Sequence, residues 1–229
     1  MPADVSDFAA DDLSNLTPIA VGELTADQVS DLSPSAVQGF SADQVSELSK
    51  NALAAFTTKQ VKQLPPGAVA GISKSQVSKL TPKAIAGFRA EQMEELPRST
   101  FKALETVQLA KLSKNAVTGL TSGQLRTLSG AEISAFKPRK IKAIDADAIS
   151  GLKPSTLDDF SRRQVKALTD DQLAGLSKKQ IKKADDFVVA LSNQQRDALS
   201  FDPGRSNRLL DPLANQDEAS LLPGLDPLA

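Results

Sequence analysis

Residues 24–31 read LTADQVSD, and residues 32–39 read LSPSAVQG. Both segments have the form apolar, Ser or Thr, x, x, Gln or Ala, apolar, x, x, and this octad runs without a gap from Phe8 to Lys183, through 22 units. An internal repeat of short, fixed period is typical of a solenoid, in which each unit packs against its neighbours. The octad positions are numbered 1 to 8, beginning with the apolar residue at Phe8.

A helix that restarts in every unit explains this pattern. A continuous helix would drift by about 80° per octad, and a strand would place positions 1 and 6 on opposite faces. With Ser or Thr of position 2 as the N-cap, a Gln at position 5 is the N3 residue of a capping box. Positions 1 and 6 are then the two partners of a hydrophobic staple. All positions 1 and 6 are apolar, so we expect them to form the core.

Prolines and glycines support the same register. Six prolines occupy position 3, the first helical residue, where the missing N–H costs nothing: Pro18, Pro34, Pro66, Pro82, Pro138 and Pro154. Pro65 and Pro97 replace the cap. Four glycines occupy position 8, where a left-handed residue can end a helix: Gly39, Gly71, Gly87 and Gly119.

A second period of 16 residues overlies the first. Position 5 is Gln in alternate units, and these residues form the Gln column: Gln28, Gln44, Gln60, Gln76, Gln92, Gln108 and Gln124. The units between them carry Ala, with Thr100 as the exception, and the alternation ends after residue 128. We read the column as capping-box and inter-coil hydrogen-bonding residues rather than as a ligand-binding ladder.

The pattern therefore predicts an all-α, elongated solenoid of helices of about six residues, with two units per 16-residue coil. Stacked helices lie about 8–10 Å apart, so 11 such coils would be on the order of 100 Å long. We expect a change of twist or packing after residue 128.

Four segments follow from these boundaries. Residues 1–7 are a lead-in, 8–183 the solenoid, 184–201 C-terminal capping helices, and 202–229 a Pro- and Asp-rich tail that is disordered or draped on the solenoid. Asp185 or Asp186 is the expected N-cap of the first capping helix. Arg196 occupies a position that is apolar in the other units, which is typical of a capping repeat whose outer face is exposed to solvent.

The array resembles octapeptide repeats of the L-T-x-x-Q-V type in bacterial, including cyanobacterial, proteins. The resemblance covers residues 8–183 and implies a left-handed coil of very short α-helices. It implies no functional residue and no particular function.

Composition excludes several kinds of site. The chain has no Cys, His, Trp or Tyr, which removes disulfides, thiolate and imidazole ligands, and Ser-His-Asp catalysis. Carboxylate pairs such as Asp11/Asp12, Asp158/Asp159 and Asp170/Asp171 fit helix starts better than a metal or acid-base site. We expect no enzymatic activity and no cofactor.

The N-terminus lacks a basic and an apolar region of the signal-peptide kind, and no apolar run is long enough for a membrane helix. We expect a soluble protein without membrane insertion. A cytoplasmic location is favoured, and export without a signal stays open.

Charge is unevenly distributed along the chain. Residues 1–48 contain nine acidic and no basic residues, whereas residues 49–183 contain 24 basic and 11 acidic ones. A basic patch is predicted if the outward faces stack in register: Lys137, Arg139, Lys140, Lys142, Arg162, Arg163, Lys166, Lys178, Lys179, Lys182 and Lys183.

These features leave two functions open. The first is a non-enzymatic scaffold or protein-interaction module, with head-to-tail association between the acidic N-terminal and basic C-terminal halves. The second is an anion-binding module that uses the 137–183 patch for nucleic acid, acidic polysaccharide or an anionic membrane surface. The scaffold is favoured, because a run of basic residues is more often a solvent-exposed face than a ligand-binding site.

Overall fold

The computed structural model describes residues 4–200, and these form 23 short α-helices and one 3₁₀ helix without a strand. The helices of the first half are α1 (Ala10–Ser14), α2 (Pro18–Gly22), α3 (Ala26–Asp31), η1 (Ala36–Gly39), α4 (Ala42–Glu47), α5 (Lys50–Ala54), α6 (Thr58–Gln63), α7 (Pro66–Val69), α8 (Lys74–Val77), α9 (Pro82–Ile85), α10 (Ala90–Glu95), α11 (Arg98–Phe101), α12 (Thr106–Leu109), α13 (Lys114–Thr118) and α14 (Ser122–Leu125). Those of the second half are α15 (Gly130–Ser134), α16 (Pro138–Ile141), α17 (Ala146–Ile149), α18 (Pro154–Asp158), α19 (Arg162–Val165), α20 (Asp170–Ala174), α21 (Lys178–Lys182), α22 (Asp185–Ala190) and α23 (Asn193–Ser200). The predicted all-helical solenoid is confirmed.

Each helix begins where the octad places its cap. In α6, the Thr57 hydroxyl accepts from the Gln60 N–H at 3.3 Å, and the Gln60 side-chain oxygen accepts from the Thr57 N–H at 2.8 Å. Proline is the first residue of α2, α7, α9, α16 and α18. Pro34 differs, because its unit forms the 3₁₀ helix η1 two residues later, although Ser33 still accepts from the Ala36 N–H at 3.0 Å.

The core is a continuous seam of the apolar residues at positions 1 and 6. All of them are buried except Phe8 and Leu16, which are partly buried and pack against the seam. Each buried residue contributes roughly 1.5–3 kcal/mol before the cost of ordering the chain is subtracted. Helices of four to six residues are not stable alone, so this shared seam holds them.

The turns of the solenoid are wider than predicted. Each helix packs on the helix three units further along, as α4 does on α7, α7 on α10 and α10 on α13. Side-chain hydrogen bonds between turns join residues 28 and 31 apart. A turn therefore contains three to four units, and the predicted two-unit coil is wrong. The 22 units make about six turns, so the stack is on the order of 60 Å long rather than 100 Å.

An odd step of three units explains the 16-residue period. Because neighbours in the stack are an odd number of units apart, each Gln unit between residues 24 and 127 packs on units that carry Ala, Thr100 or Glu132 at position 5, and not on another Gln unit. The two environments therefore alternate along the chain and also up the stack.

The glycines at position 8 are explained by close approach and not by left-handed backbone. Gly119 has φ −92°, and no glycine among the described residues has a φ in the left-handed region. A Cβ on Gly39 would collide with the carbonyl oxygen of Ala10, and one on Gly71 with that of Ala42. The same holds for Gly119 against Ala90 and for Gly151 against Ser122. The predicted left-handed termination is wrong, and the glycines instead let successive turns approach.

The C-terminal end of the array contains a unit of seven residues. Ala184 is the N-cap of α22, so the expected cap at Asp185 or Asp186 is wrong. The octad pattern then resumes, because Leu191 is buried and Gln195 accepts from the Ser192 N–H at 3.1 Å. Arg196 is partly buried, and its guanidinium donates to the Val188 carbonyl at 3.3 Å. The predicted tail, 202–229, lies outside the described residues, as do the first three residues of the lead-in.

Candidate functional site

The Gln column joins successive turns of the solenoid. Gln76 shows the arrangement: its side-chain oxygen accepts from the Ser73 N–H at 2.8 Å, and its amide nitrogen donates to the Val45 and Leu48 carbonyls at 2.9 and 2.7 Å. These carbonyls belong to the turn below, at the junction of two units. The same pair of contacts is made by Gln44, Gln60, Gln92, Gln108 and Gln124. Gln28, in the first turn, accepts from the Thr25 N–H at 2.9 Å.

Position 5 also bridges turns where the sequence pattern had ended. Gln164, Gln172 and Gln180 donate to carbonyls about 28 residues earlier, and Gln195 reaches Val165 at 2.8 Å. Thr100 and Thr156 make a single bond each, through their hydroxyls, to the Ile72 and Leu128 carbonyls. For the residues after 128, the signal was their octad position, which the loss of alternation obscured, and Thr100 was the exception within the alternating region.

These contacts show what the glutamines do. Six of the seven side chains in the column are at most 3% exposed, and their amide groups are engaged with backbone atoms. Buried amides that satisfy buried carbonyls stabilise the stack. The Gln column is therefore placed to hold turns together.

The predicted basic patch divides into two parts. Helices α16 and α19 stack directly, so Arg139 and Lys142 lie in the same octad positions as Arg163 and Lys166 one turn along. Helix α21 is two units beyond α19, which places it about a third to a half of a turn away around the solenoid at three to four units per turn. The charges of Lys178, Lys179, Lys182 and Lys183 therefore lie on another side.

We call the exposed basic residues on the stacked helices the basic face; they are Lys137, Arg139, Lys142, Arg162, Arg163 and Lys166. Among the described residues, no carboxylate forms an ion pair with any of them, whereas Arg89 and Glu91 of α10 are paired at 3.6 Å. Stacked helices about 8–10 Å apart keep these like charges within about one Debye length at physiological salt. The basic face is thus a concentrated positive potential on one side of the molecule.

Lys140 differs from the rest of the predicted patch because it is buried. It occupies position 5, is 7% exposed, and its ammonium donates to the Ala110 carbonyl at 2.7 Å. Burial lowers the pKa of Lys140 below its usual value of 10.5, and the positive charges of Lys137, Arg139 and Lys111 lower it further.

The chain matches no known family model and no curated protein.

The carboxylate pairs belong to local structure. Asp12 accepts from the Ala9 N–H at 2.8 Å and caps α1, and Asp170 and Asp171 lie in the first turn of α20. Asp158 and Asp159 instead lie at the end of α18, where Asp158 accepts from the Phe187 N–H of α22 at 3.2 Å. Between residues 4 and 200, no group of three carboxylates is arranged to hold a metal ion.

An open groove of about 290 Å³ is lined by residues of four units, among them Glu94, Thr118, Ser122, Asp145 and Asp147. Its acidic rim contrasts with the basic face. None of the helices in the described part of the chain has the length and apolar character that spanning a bilayer requires.

Proposed function

We propose that this protein is a non-enzymatic interaction scaffold, whose partners bind the outer surface of the solenoid. The observation that supports this is that different positions of the octad face the core and the solvent. Positions 1, 5 and 6 are engaged in stacking, whereas positions 4 and 7 are exposed in nearly every unit. Solenoids present such repeated outer positions as extended binding surfaces.

Charge segregation along the stack favours self-association as one use of this surface. The described residues before Ser49 lie in the first turns and bear acidic but no basic side chains, and the basic face lies several turns further on. Opposite charges separated along a rod attract between molecules more readily than within one. The acidic turns of one copy would then meet the basic face of another.

Sedimentation velocity at low and high salt tests this function. Head-to-tail association predicts a sedimentation coefficient that rises with protein concentration at low salt and falls back as salt screens the charges. A monomer at low salt and high concentration would exclude self-association. Replacing Asp11, Asp27 and Asp43 with Asn should weaken the association, whereas the same change at Asp170 and Asp171 should not.

A second function, binding of an anionic ligand, is favoured by the basic face itself. Six exposed cations on two stacked helices, which have no carboxylate partner within residues 4–200, form a site to which phosphate or sulfate groups are attracted. The absence of Trp and Tyr makes recognition through charge more plausible than base stacking.

Two variants with equal charge loss test the second function. Replacing Arg139, Lys142, Arg163 and Lys166 with Gln should weaken binding to heparin or DNA and flatten its salt dependence. Replacing Lys178, Lys179, Lys182 and Lys183 with Gln removes the same charge from the other side and should have a smaller effect. Equal effects would show that net charge and not the basic face attracts the ligand.

A further inference from the structure

Lys140 stands where nineteen other units and the capping unit place a neutral donor or a small side chain, and the two remaining units carry the carboxylates Asp12 and Glu132. The Gln residues in this position satisfy two carbonyls of the turn below, whereas Lys140 satisfies one, that of Ala110, at 2.7 Å. A buried ammonium costs desolvation energy that an amide does not. For stacking alone, Gln would serve this position better.

The surroundings of Lys140 add to that cost. The charges that act on it are those of Lys137 and Arg139 on its own helix and of Lys111, which follows its acceptor Ala110. All three are exposed and positive. Ala110 is the C-cap of α12, so the negative end of a short helix offers partial compensation. Among the described residues, no carboxylate compensates the remaining positive charge of the Lys140 ammonium.

The stack limits the extent of this positive region. Helix α13 lies below α16 and bears Lys114, and α19 lies above it. The next helix below is α10, with Glu91, Glu94 and Glu95, and the next above is α22, with Asp185 and Asp186. Acidic helices therefore bound the basic region on both sides along the axis. A long polyanion lying along the stack would meet these carboxylates, whereas a compact anion would not.

We propose that Lys140, Lys111, Lys137 and Arg139 form a binding site for a compact phosphate group. This inference rests on the second proposed function and narrows it to one point of the molecule. The phosphate oxygens accept charge-assisted hydrogen bonds from the rim side chains, and the guanidinium of Arg139 suits two oxygens at once. The bound anion supplies the negative charge that the buried ammonium of Lys140 lacks.

Inorganic pyrophosphate is the probe, and binding is measured by calorimetry and by the rise in Tm at constant ionic strength. We expect pyrophosphate to bind to the unmodified protein and to raise its Tm, whereas chloride at the same ionic strength should do neither to the same extent. Lys140→Gln should fold, because Gln is the usual residue in this position, and should bind roughly ten- to hundredfold more weakly. Lys83→Gln, an exposed substitution on α9, is the matched control and should bind as the unmodified protein does.

The rim is tested by Lys111→Gln and Lys137→Gln, which change exposed side chains and leave the core intact. Each should weaken pyrophosphate binding by several-fold. A short oligodeoxythymidylate distinguishes the two sources of phosphate: comparable losses for both ligands in Lys140→Gln mean that the site also accepts a nucleic-acid phosphate, and a loss for pyrophosphate alone means that it takes the free anion.

Absence of pyrophosphate binding, or equal binding by the protein and Lys140→Gln, would overturn the site. Heparin binding that is unaffected by Lys140→Gln but abolished by the four substitutions on α16 and α19 would leave the second proposed function intact while refuting this inference.

Discussion

The solenoid holds its turns together differently before and after residue 128. In units 24–127, position 5 alternates between Gln and a small residue, with Thr100 as the exception, so one bridging amide serves every second unit. In units 128–183, five of the seven units carry a bridging side chain: Lys140, Thr156, Gln164, Gln172 and Gln180. Both regions nevertheless stack each helix on the one three units along, as in α10 on α13 and α17 on α20.

This comparison separates what the fold requires from what it only tolerates. The expected change of packing after residue 128 does not appear in the order of stacking. From residue 24 to residue 183, most position-5 side chains either reach a carbonyl of the turn below or are small, and Glu132 instead stays within its own unit, where its carboxylate accepts from the Ser129 N–H. Strict alternation is one arrangement of such side chains, and consecutive Gln172 and Gln180 are another.

The largest effect should come from a charge in the seam. Val77 and Val165 are fully buried at position 6 of the first and second regions. Changing either to Asp buries an unpaired carboxylate and should lower the free energy of unfolding by more than about 3 kcal/mol. Urea denaturation of both variants measures whether the regions depend equally on the seam.

Val107→Asp is the control for that experiment, because Val107 is 57% exposed. It should change stability by less than about 0.5 kcal/mol. A cost that is much smaller at Val165 than at Val77 would mean that the second region is held mainly by its bridging side chains.

Removing a bridging side chain should cost less than a charge in the seam. Gln76→Ala deprives the Leu48 carbonyl of its donor and the Ser73 N–H of its acceptor, and leaves the Val45 carbonyl with the Leu48 N–H alone, so it should cost about 2–4 kcal/mol. Thr156→Ala deprives only the Leu128 carbonyl and should cost about 1–2 kcal/mol. The exposed Gln63, which accepts from Gln38 at the surface, is the control position. Thermal unfolding of the three alanine variants ranks them, and equal losses would contradict a bridging role for Gln76.

The sequence was sufficient to predict the helices but not the turn of the solenoid. Restarting helices, their caps and the apolar seam follow from chemistry within eight residues, as Thr57 and Gln60 show. The number of units per turn depends on angles between successive helices, and these are set by packing such as Gly71 against Ala42. An alternation of two unit types fits two units per coil as well as any odd step, so the pattern alone could not distinguish them.

The candidate site shows the same limit. The basic residues could be identified from the chain, but which of them share a face depends on the number of units per turn. That number placed Arg139 beside Arg163 in the stack and moved Lys178 to another side. The burial of Lys140 could have been anticipated from its position 5, because every Gln of the column from Gln44 onward is buried there.

The glycine contacts provide a smaller and more local test of the stacking. Gly71→Ala and Gly151→Ala each place a Cβ against a backbone carbonyl of the turn below and should cost about 1–3 kcal/mol. Gly67 has nothing near its missing Cβ and lies in α7, so Gly67→Ala should be neutral or stabilise by about 0.5–1 kcal/mol. Chemical denaturation compares them. If Gly71→Ala were as stable as Gly67→Ala, successive turns would not approach as closely as this packing requires.

The smallest effect should come from Lys140→Gln, and it should depend on pH. The substitution replaces one bond to the Ala110 carbonyl with the two that Gln makes elsewhere in the column, so without a bound anion we expect a gain of about 1 kcal/mol near neutral pH. Burial lowers the pKa of Lys140 in the folded protein, so between that pKa and 10.5 the unfolded state binds more protons and stability rises with pH. The ammonium of Lys140 therefore destabilises the protein fully below the folded pKa, and this destabilisation disappears as the pH approaches 10.5. The stability difference in favour of the Gln variant should shrink over that range.

Urea denaturation at a series of pH values measures this difference, with the exposed substitution Lys142→Gln as the control. Two results would show that burial of the Lys140 ammonium does not destabilise the stack. One is a Gln variant that is less stable than the unmodified protein near neutral pH, and the other is a stability difference between the two proteins that does not change with pH.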